Sequence, residues 1–370
     1  MPRPDMLSLK MEDAFKYILN SFDKSPSNIT AIVGMSGGVD SSVTAALMHR
    51  AGFKVIGVTL QLSQAEKKIR SCCSEKDIQD AASVASHMGF PHYVLDYSKN
   101  FKEQVVDDFI SEYNSGSTPS PCVRCNQKIK FGDLLDFATK LKADTVITGH
   151  YIKHKYSSGK TTFHRPKDMS KDQTYFMSLV RREVMDMVRF PLGIYTKTEV
   201  RQIAKDLDLI VATKSDSQDL CFVQSGSYRE ILQQLSIKTG KGMIVDLNNN
   251  ILGSHDGIQN YTVGQRKGLN LPNGPWFVLK IIAEENKVII GKQSDLERTT
   301  FIIDKLNLMV DHLPRELLAQ VRARANPVPC KIEDNRVILS EPVTSVAPGQ
   351  ICAFYSGDLL VGGAKILSEH

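Results

Sequence analysis

The sequence lacks several features that would assign it to a special class of protein. Among its 370 residues there is no apolar run long enough for a membrane-spanning helix, no internal repeat and no low-complexity tract. Its net charge of +5 is mild, so a nucleic-acid partner is permitted through a local basic patch but is not required. A hydrophobic fraction of 42% and a charged fraction of 24% are ordinary. We expect a soluble, globular protein of two or three domains with no membrane partner.

Cysteine is too sparse and too scattered for a disulfide scaffold. The odd number of seven cysteines in so long a chain is typical of a reducing compartment. The N-terminal residues include Asp5, Glu12 and Asp13 and contain no uninterrupted apolar core, which argues against a secretory signal or a transit peptide. We therefore expect a cytoplasmic location.

Residues 1–28 form an N-terminal extension in which Met11, Phe15 and Ile18 have the spacing of a short amphipathic helix. From 29 to 225, strand-type and helix-type segments alternate, with the apolar strand-type runs ITAIVGM, KVIGVTL, HYVLD and DTVITGH. This alternation predicts an α/β fold with a doubly wound parallel sheet.

Beyond about residue 225 the pattern changes to short β-type runs separated by turn residues. We expect a small central domain over 226–297, followed by a small barrel or sandwich over 298–370. Within the latter, QVRARAN is predicted to be a strand with Arg322 and Arg324 on one face. That face suits contact with an RNA backbone, and a solvated strand face is nearly as consistent with the pattern.

The segment GMSGGVDSS, Gly34 to Ser42, joins the first predicted strand to a helix. Gly37 and Gly38 carry no side chain that would block a phosphate, the serines offer hydroxyl donors, and a helix N-terminus presents unpaired N–H groups. The segment is not a Walker loop, because no Gly-Lys-Ser/Thr follows, and it lacks the spacing of a dinucleotide fingerprint. The alternative is a glycine-rich turn without a ligand.

Cys122 and Cys125 form a C-x₂-C pair in SPCVRCNQKIKFG. Such a pair could hold a metal, form a redox disulfide or provide one reactive thiolate. Asn126 is predicted to be a helix N-cap, which would place Cys125 where the helix dipole and nearby basic residues lower its pKa.

The adjacent Cys72 and Cys73 have the wrong spacing for the second pair of a zinc site. They are interpreted as structural residues before a helix that is capped by Ser74, with Asp77 at the reciprocal position of a capping box.

The string SGGVDS resembles the signature of the PP-loop ATP pyrophosphatases, and seven further strings extend the resemblance to the tRNA-specific 2-thiouridylases over nearly the whole chain after the extension. These strings are CCSEKDIQDA, TPSPCVRCNQKIKFG, ITGHY, KDQTYFM, SDSQDLCFV, YTVGQRKGL and APGQICAFY. The resemblance implies a Rossmann-like PP-loop domain, a small central domain and a C-terminal β-barrel. It also implies an enzyme that adenylates O2 of the wobble uridine in tRNA with ATP and replaces this oxygen by sulfur from a persulfide.

For ATP, the resemblance implies a set of contacts in the loop and at two strand ends. The residues are Gly34, Met35, Ser36, Gly37, Gly38, Val39, Asp40, Ser41, Leu60 and Gly149. Leu60 is expected to touch adenine, and Asp40 to help hold Mg²⁺ with the pyrophosphate.

For sulfur transfer, the resemblance makes Cys221 the persulfide carrier and Cys125 the thiol that resolves it. Cys122 departs from the family, in which Asp is common at this position, so it is not the obligatory nucleophile. Together Cys122, Cys125 and Cys221 could instead hold a [4Fe-4S] cluster with one open iron.

For tRNA, the resemblance implies contact with the anticodon loop, from which the target base is flipped out. The implied contact residues are Ser120, Pro121, Cys122, His150, Lys171, Asp172, Gln173, Arg324, Ala325 and Gln350. The other partner is a persulfide sulfur-donor protein, and the enzyme is expected to be a monomer. Two alternatives remain: another PP-loop adenylating enzyme, such as an amide-forming synthetase, and a tRNA-binding protein without catalysis.

Overall fold

The structure is a computed structural model that describes residues 6–62, 74–216, 240–344 and 346–367. The chain divides into two compact units. The first comprises Met1–Lys102, Asn126–Gln224 and Asp358–Leu360, and the second comprises Glu103–Cys125, Ser225–Gly357 and Val361–His370.

The α-helices of the described ranges are α1 (Met6–Leu19), α2 (Val39–Arg50), α3 (Glu75–Met88), α4 (Ser98–Phe101), α5 (Asp107–Asn114), α6 (Pro121–Cys125), α7 (Leu134–Lys140) and α8 (Lys197–Asp206). Two π-helical segments cover Lys102–Val106 and Asn126–Asp133. None of the helices in these ranges is both long enough and apolar enough to cross a bilayer.

The strands of the described ranges are β1 (Thr30–Gly34), β2 (Lys54–Gln61), β3 (His92–Asp96), β4 (Thr145–Ile147), β5 (Lys153–Ser157), β6 (Lys160–His164), β7 (Val188–Arg189), β8 (Gly242–Val245), β9 (Ile251–His255), β10 (Phe277–Ile282), β11 (Lys287–Gly291), β12 (Arg298–Ile302), β13 (Asn307–Leu308), β14 (Leu317–Gln320), β15 (Val328–Glu333), β16 (Arg336–Val343), β17 (Ile351–Ser356) and β18 (Leu359–Lys365).

The first unit contains the predicted parallel sheet, in the order β3-β2-β1-β4-β7. All four strand pairings in it are parallel. The apolar residues of β1 and β4 are buried, as a sheet covered on both faces requires. The prediction of a parallel α/β sheet is therefore confirmed.

The helix predicted in the N-terminal extension is α1, and its C-terminal end belongs to the core of the first unit. Ile18 is fully buried. The Tyr17 hydroxyl contacts His154 Nδ1 at 3.0 Å and accepts a hydrogen bond from the His154 backbone N–H at 2.6 Å. The buried Arg189 side chain donates to Ser21 Oγ at 2.7 Å. These contacts fix the extension to the domain that follows it.

The second unit contains the predicted β-rich region. A four-stranded sheet has the order β10-β11-β8-β9 and packs around Val278, Val288 and Ile290. The strands β12-β16-β15-β14-β17-β18 follow each other in a further sheet, whose core includes Phe301 and Phe354. A C-terminal β domain is confirmed.

One strand prediction is wrong. The strand β14 ends at Gln320, and the arginines of QVRARAN lie in the turn that follows. Arg322 is half-buried and donates to the Val263 carbonyl at 2.8 Å, whereas Arg324 is exposed. The Gln320 amide donates to the carbonyls of Arg322 and Ala323, which stabilises a turn in place of a continued strand.

Candidate active site

The predicted phosphate loop connects β1, which ends at Gly34, to α2, which begins at Val39. Gly37 has a φ of +70°, and a Cβ atom at this position would lie 2.1 Å from the Asp77 carbonyl oxygen. Both the backbone conformation and the lack of space therefore demand glycine here.

The loop folds back on the first turn of α2. Ser41 Oγ accepts from the Ser36 N–H at 3.1 Å and donates to the Gly38 carbonyl at 3.1 Å. The residue before the helix, Gly38, has no side chain with which to cap it. The N–H groups of the first turn have no intrahelical acceptor, because helix geometry leaves them none. An anion at this point would find N–H donors and a favourable dipole.

Two further residues of the predicted ATP site lie at strand ends of the same sheet. A Cβ on Gly149 would lie 2.9 Å from the Ser41 nitrogen, so the chain after β4 passes directly against the loop. Leu60 is a buried residue near the end of β2. Ligands of open α/β sheets bind at the carboxyl ends of the strands, which is where these residues lie. Their contacts with ATP stay predictions.

Asp40 of the loop is held by two side chains that the sequence did not indicate. Lys197 Nζ lies 2.7 Å from both Asp40 Oδ1 and Oδ2, and the Tyr151 hydroxyl donates to Oδ1 at 2.8 Å. Burial and the Asp40 carboxylate raise the pKa of the Tyr151 phenol far above its ordinary value. Lys197 is separated from Asp40 by 157 residues, so no local pattern could have joined them.

A second carboxylate, Asp216, lies beside the first. It accepts from Lys197 at 2.9 Å, from Arg201 at 2.6 Å and from Lys171 at 2.9 Å. Burial alone would raise the pKa of Asp216, but the hydrogen bonds from Lys171 and Lys197 outweigh it and lower this pKa to about 2. Asp216 is therefore ionised at neutral pH.

Lys214 fastens the loop to α3. Its ammonium donates to the Gly37 carbonyl at 2.9 Å, to Asp77 at 2.6 Å and to Asp80 at 2.5 Å. Burial lowers the pKa of Lys214, but the two carboxylates more than offset this and raise it. The capping box predicted for Ser74 and Asp77 at the start of α3 is confirmed.

The predicted tRNA-binding residues of the KDQ motif have partners within the first unit. Lys171 contacts Asp216, and Asp172 forms an ion pair with Arg165 and accepts from the Thr174 N–H. Gln173 Oε1 accepts from the Tyr151 N–H at 2.8 Å. The motif is thus ordered beside the two carboxylates, and its contact with tRNA stays a prediction.

His150 is buried between aromatic rings. Its ring lies 5.7 Å from that of Phe131 and 6.0 Å from that of Phe190, and its Nδ1 contacts Thr148 Oγ1 at 2.8 Å. Burial, assisted by Lys130, lowers the pKa of His150 well below its usual value. The imidazole is therefore neutral at pH 7, and its place near the target base stays a prediction.

The cysteine pair belongs to a helix that starts earlier than the sequence predicted. Helix α6 begins at Pro121 and ends at Cys125, so Cys125 is its last residue and Asn126 is not an N-cap. Pro121 explains the shift, because proline suits the first position of a helix. The Asn126 amide instead donates to the Phe176 carbonyl at 3.1 Å. The argument for a lowered Cys125 pKa from the N-terminus of a following helix is therefore wrong.

Cys125 is buried, with 6% of its surface exposed, and Cys122 is half-buried. The segment that leads into α6 is fixed by Gln350, whose Nε2 donates to the carbonyls of Thr118 at 3.0 Å and Pro119 at 3.1 Å. The Thr118 N–H in turn donates to the Pro348 carbonyl at 2.7 Å. Three of the residues predicted to contact tRNA, Ser120, Pro121 and Cys122, directly follow this fixed segment.

Cys221, like Cys72 and Cys73, lies outside the described residues. Its pairing with Cys125, and the three-cysteine cluster that includes Cys122, therefore stay predictions. Within the described ranges, no three His, Cys, Asp or Glu side chains converge as a metal site.

A magnesium ion would fit this loop without a cluster of three protein ligands. Mg²⁺ commonly keeps several waters and is held by one or two carboxylates together with substrate phosphates. Asp40, in the first turn of α2, provides such a carboxylate next to the N–H groups described above.

Known proteins match this chain along nearly its whole length. The model of the tRNA methyl transferase HUP domain matches residues 29–225, that of the tRNA methyl transferase PRC-barrel domain matches 229–292, and that of the aminomethyltransferase β-barrel domain matches 298–366. A tRNA-specific 2-thiouridylase MnmA from Zymomonas mobilis is 43% identical over 93% of this chain and 95% of that protein. One from Anaplasma marginale is 45% identical over 94% of this chain and 92% of that protein.

Among solved structures, the NMN synthetase from Francisella tularensis aligns with 58% of this chain and 76% of that chain. The TM-score of this alignment is 0.37 and the sequence identity is 17%.

Proposed function

This chain belongs to the family of tRNA-specific 2-thiouridylases, and we propose that it uses ATP to replace the 2-oxygen of the wobble uridine in tRNA by sulfur. As a member of this family it is a tRNA-uridine 2-sulfurtransferase. A cytoplasmic site of action and a monomeric state belong to the same proposal.

The observation that carries the ATP step is the crowded loop at Gly37. Its conformation brings the N–H groups of α2, the Ser36 and Ser41 hydroxyls and the chain at Gly149 together at one edge of the parallel sheet. Such a site binds the phosphates of a nucleotide by hydrogen bonds and by the helix dipole. Asp40 would hold Mg²⁺ there, and the ion would neutralise phosphate charge.

The first step is the activation of the base. O2 of the uracil attacks the α-phosphorus of ATP, the bond between the α-phosphorus and the bridging oxygen breaks, and pyrophosphate leaves. The product carries AMP on O2, which converts a poor leaving group into a good one. The loop's N–H donors would stabilise the charge that develops on the phosphates.

The second step is sulfur transfer. The terminal sulfur of a persulfide on Cys221 attacks C2, and the bond from C2 to the adenylated oxygen breaks with release of AMP. The Cys125 thiolate then attacks the Cys221 sulfur, so that the thiolated base leaves and a Cys125–Cys221 disulfide forms. A thiol reductant regenerates both cysteines, and a sulfur-donor protein reloads Cys221.

The tRNA substrate would present its anticodon loop with the uridine flipped out of the stack. Lys171, Asp172 and Gln173 lie together near the phosphate loop, which supports the proposal that they contact the tRNA there. Ser120, Pro121 and Cys122 follow the segment fixed by Gln350, and Arg324 and Ala325 lie in a turn that begins just after β14. These residues are proposed as the remaining tRNA contacts.

The test replaces each cysteine by serine in the full chain and measures 2-thiouridine in tRNA by mass spectrometry. Cys125→Ser and Cys221→Ser are expected to abolish the modification, since each removes an obligatory sulfur. Normal 2-thiouridine in either variant would refute the sulfur route.

Cys122→Ser separates the two forms of sulfur chemistry. Persulfide transfer predicts that this variant keeps most of the activity, whereas a [4Fe-4S] cluster on Cys122, Cys125 and Cys221 predicts complete loss. Iron and labile-sulfide assays on anaerobically purified wild type accompany this comparison, and stoichiometric iron that disappears in Cys122→Ser would favour the cluster.

A further inference from the structure

Lys197 occupies a fixed position at the phosphate loop. It is the first residue of α8, where Thr196 and Glu199 form a capping box, and Val200 and Ile203 of this helix are fully buried in the core that also contains α2. Only 12% of the Lys197 side chain is exposed. The backbone that carries this ammonium group is therefore held rigidly beside the loop.

The two lysines at the loop have different surroundings. Lys214 donates to a loop carbonyl and to two carboxylates of α3, so it ties structural elements together. Within the part of the chain that the structure describes, the Lys197 ammonium donates to Asp40 and Asp216, and Asp40 belongs to the loop itself. A phosphate bound to the N–H groups of α2 would compete with Asp40 for this ammonium.

Both carboxylates that contact Lys197 have other hydrogen-bond donors. Asp216 also contacts Lys171 and Arg201, and Asp40 also accepts from the Tyr151 hydroxyl. A shift of Lys197 by a few ångströms would therefore leave both carboxylates hydrogen-bonded. For Lys214 the same shift would release the Gly37 carbonyl from its contact with α3.

We propose that Lys197 is a catalytic residue of the adenylation step, whose ammonium moves from Asp40 to the β- and γ-phosphates of ATP and stabilises the departing pyrophosphate. Asp216 acts as its positioning residue. The inference rests on the proposed function, since it requires ATP to bind at this loop. It adds a cationic contact to the ATP phosphates from a residue that is remote in sequence from the loop. Ammonium groups are well suited to phosphate oxygens, to which they donate charge-assisted hydrogen bonds.

The test compares ligands that differ in their phosphates. Binding of ATP, inorganic pyrophosphate and AMP to the full chain is measured by calorimetry with Mg²⁺ for wild type, Lys197→Met and Lys197→Arg. Lys197→Met is expected to lower the affinity for ATP and for pyrophosphate roughly 10- to 100-fold, which is the effect of losing one charge-assisted hydrogen bond. The affinity for AMP should change by less than about 2-fold. Lys197→Arg should recover part of the affinity, because it keeps the charge.

Lys205→Met is the matched control, since Lys205 is an exposed lysine near the end of the same helix. It should bind all three ligands as wild type does. Equal weakening of ATP and AMP in Lys197→Met, together with a lower Tm, would show a structural role and overturn the proposal, as would unchanged ATP affinity. Failure of the proposed function would look different, because the wild type itself would then make no 2-thiouridine.

Discussion

The phosphate loop of the first unit and the β17–β18 turn of the second each contain a glycine with a positive φ. The structural reasons for glycine at the two positions differ. Gly37 has a φ of +70° and Gly357 a φ of +58°. A Cβ on Gly37 would meet the Asp77 backbone at 2.1 Å, whereas no atom of the described residues, apart from the two chain neighbours, lies within 4 Å of a Cβ on Gly357. The loop therefore needs glycine for close approach as well as for conformation, and the turn needs it for conformation alone.

The same contrast extends to the surroundings of each glycine. Around the loop, carboxylates and cations form two sets of ion pairs, one around Lys197 and Asp216 and the other around Lys214. The β17 and β18 strands instead bury apolar residues such as Phe354 and Val361 in a shared core. Substitutions at the loop should thus change ligand binding, and those in the β core should change stability.

The largest expected effect on ATP affinity is that of Gly37→Ala. The added methyl group would push the loop from Asp77 and from its left-handed conformation, so ATP affinity should fall at least about 100-fold, since more than one loop N–H would be misplaced. Calorimetric titration with ATP measures this loss. Gly357→Ala is the control with the same backbone requirement, and it should lower stability by about 1 kcal/mol without changing ATP affinity. Equal ATP affinity in the two variants would contradict the distinction between the glycines.

A second effect, on stability alone, is expected from Phe354→Ala. The Phe354 ring is fully buried, so the truncation should cost about 3–5 kcal/mol of the free energy of unfolding. Urea denaturation measures the loss, and ATP titration at a temperature where the variant is folded should give the wild-type affinity. A variant that lost ATP affinity while its stability was unchanged would reverse the assignment of the two regions.

The smallest expected effect is the loss of the stability that Asp216 contributes, and this contribution depends on pH. Its folded-state pKa of about 2 lies below the ordinary value, so its ion pairs stabilise the fold above pH ~4 and lose this effect as the pH falls through about 2. Because solvent screens much of this interaction, Asp216→Asn should cost about 1 kcal/mol at pH 7 and about half as much at pH 3. Urea midpoints at both pH values measure the difference, with the exposed Asp206→Asn as control. A cost that stayed constant down to pH 3 would show that ionisation of Asp216 is not its source.

The fold was predictable where the pattern is local. Alternating strand and helix segments gave the parallel sheet, and Ser74 with Asp77 gave the capped start of α3, because both depend on neighbours in sequence. The loop at Gly37 was recognisable for the same reason. Its ion-pair partners were not, since Tyr151, Lys197 and Asp216 reach Asp40 or one another only through tertiary packing.

The two wrong predictions have physical causes that a local pattern can conceal. Helix α6 starts at Pro121, a proline at a favourable first position, and runs directly into the π-helical segment Asn126–Asp133, so Cys125 lies inside a helical stretch instead of before one. The alternating arginines of QVRARAN look like a strand, but Gln320 closes a turn over them with its side-chain amide. Side-chain capping of this kind competes with the strand pattern.

The bond between Tyr17 and His154 bears on where this enzyme's first domain begins. Similarity to the family model starts at residue 29, but Ile18 is fully buried and Arg189 reaches back to Ser21. Residues before the range of the family model therefore complete the packing of the first unit. A chain that began at residue 29 would lose the Ser21 acceptors of the buried Arg189 guanidinium and the Tyr17 hydroxyl that contacts His154, so the first unit would lack part of its packing.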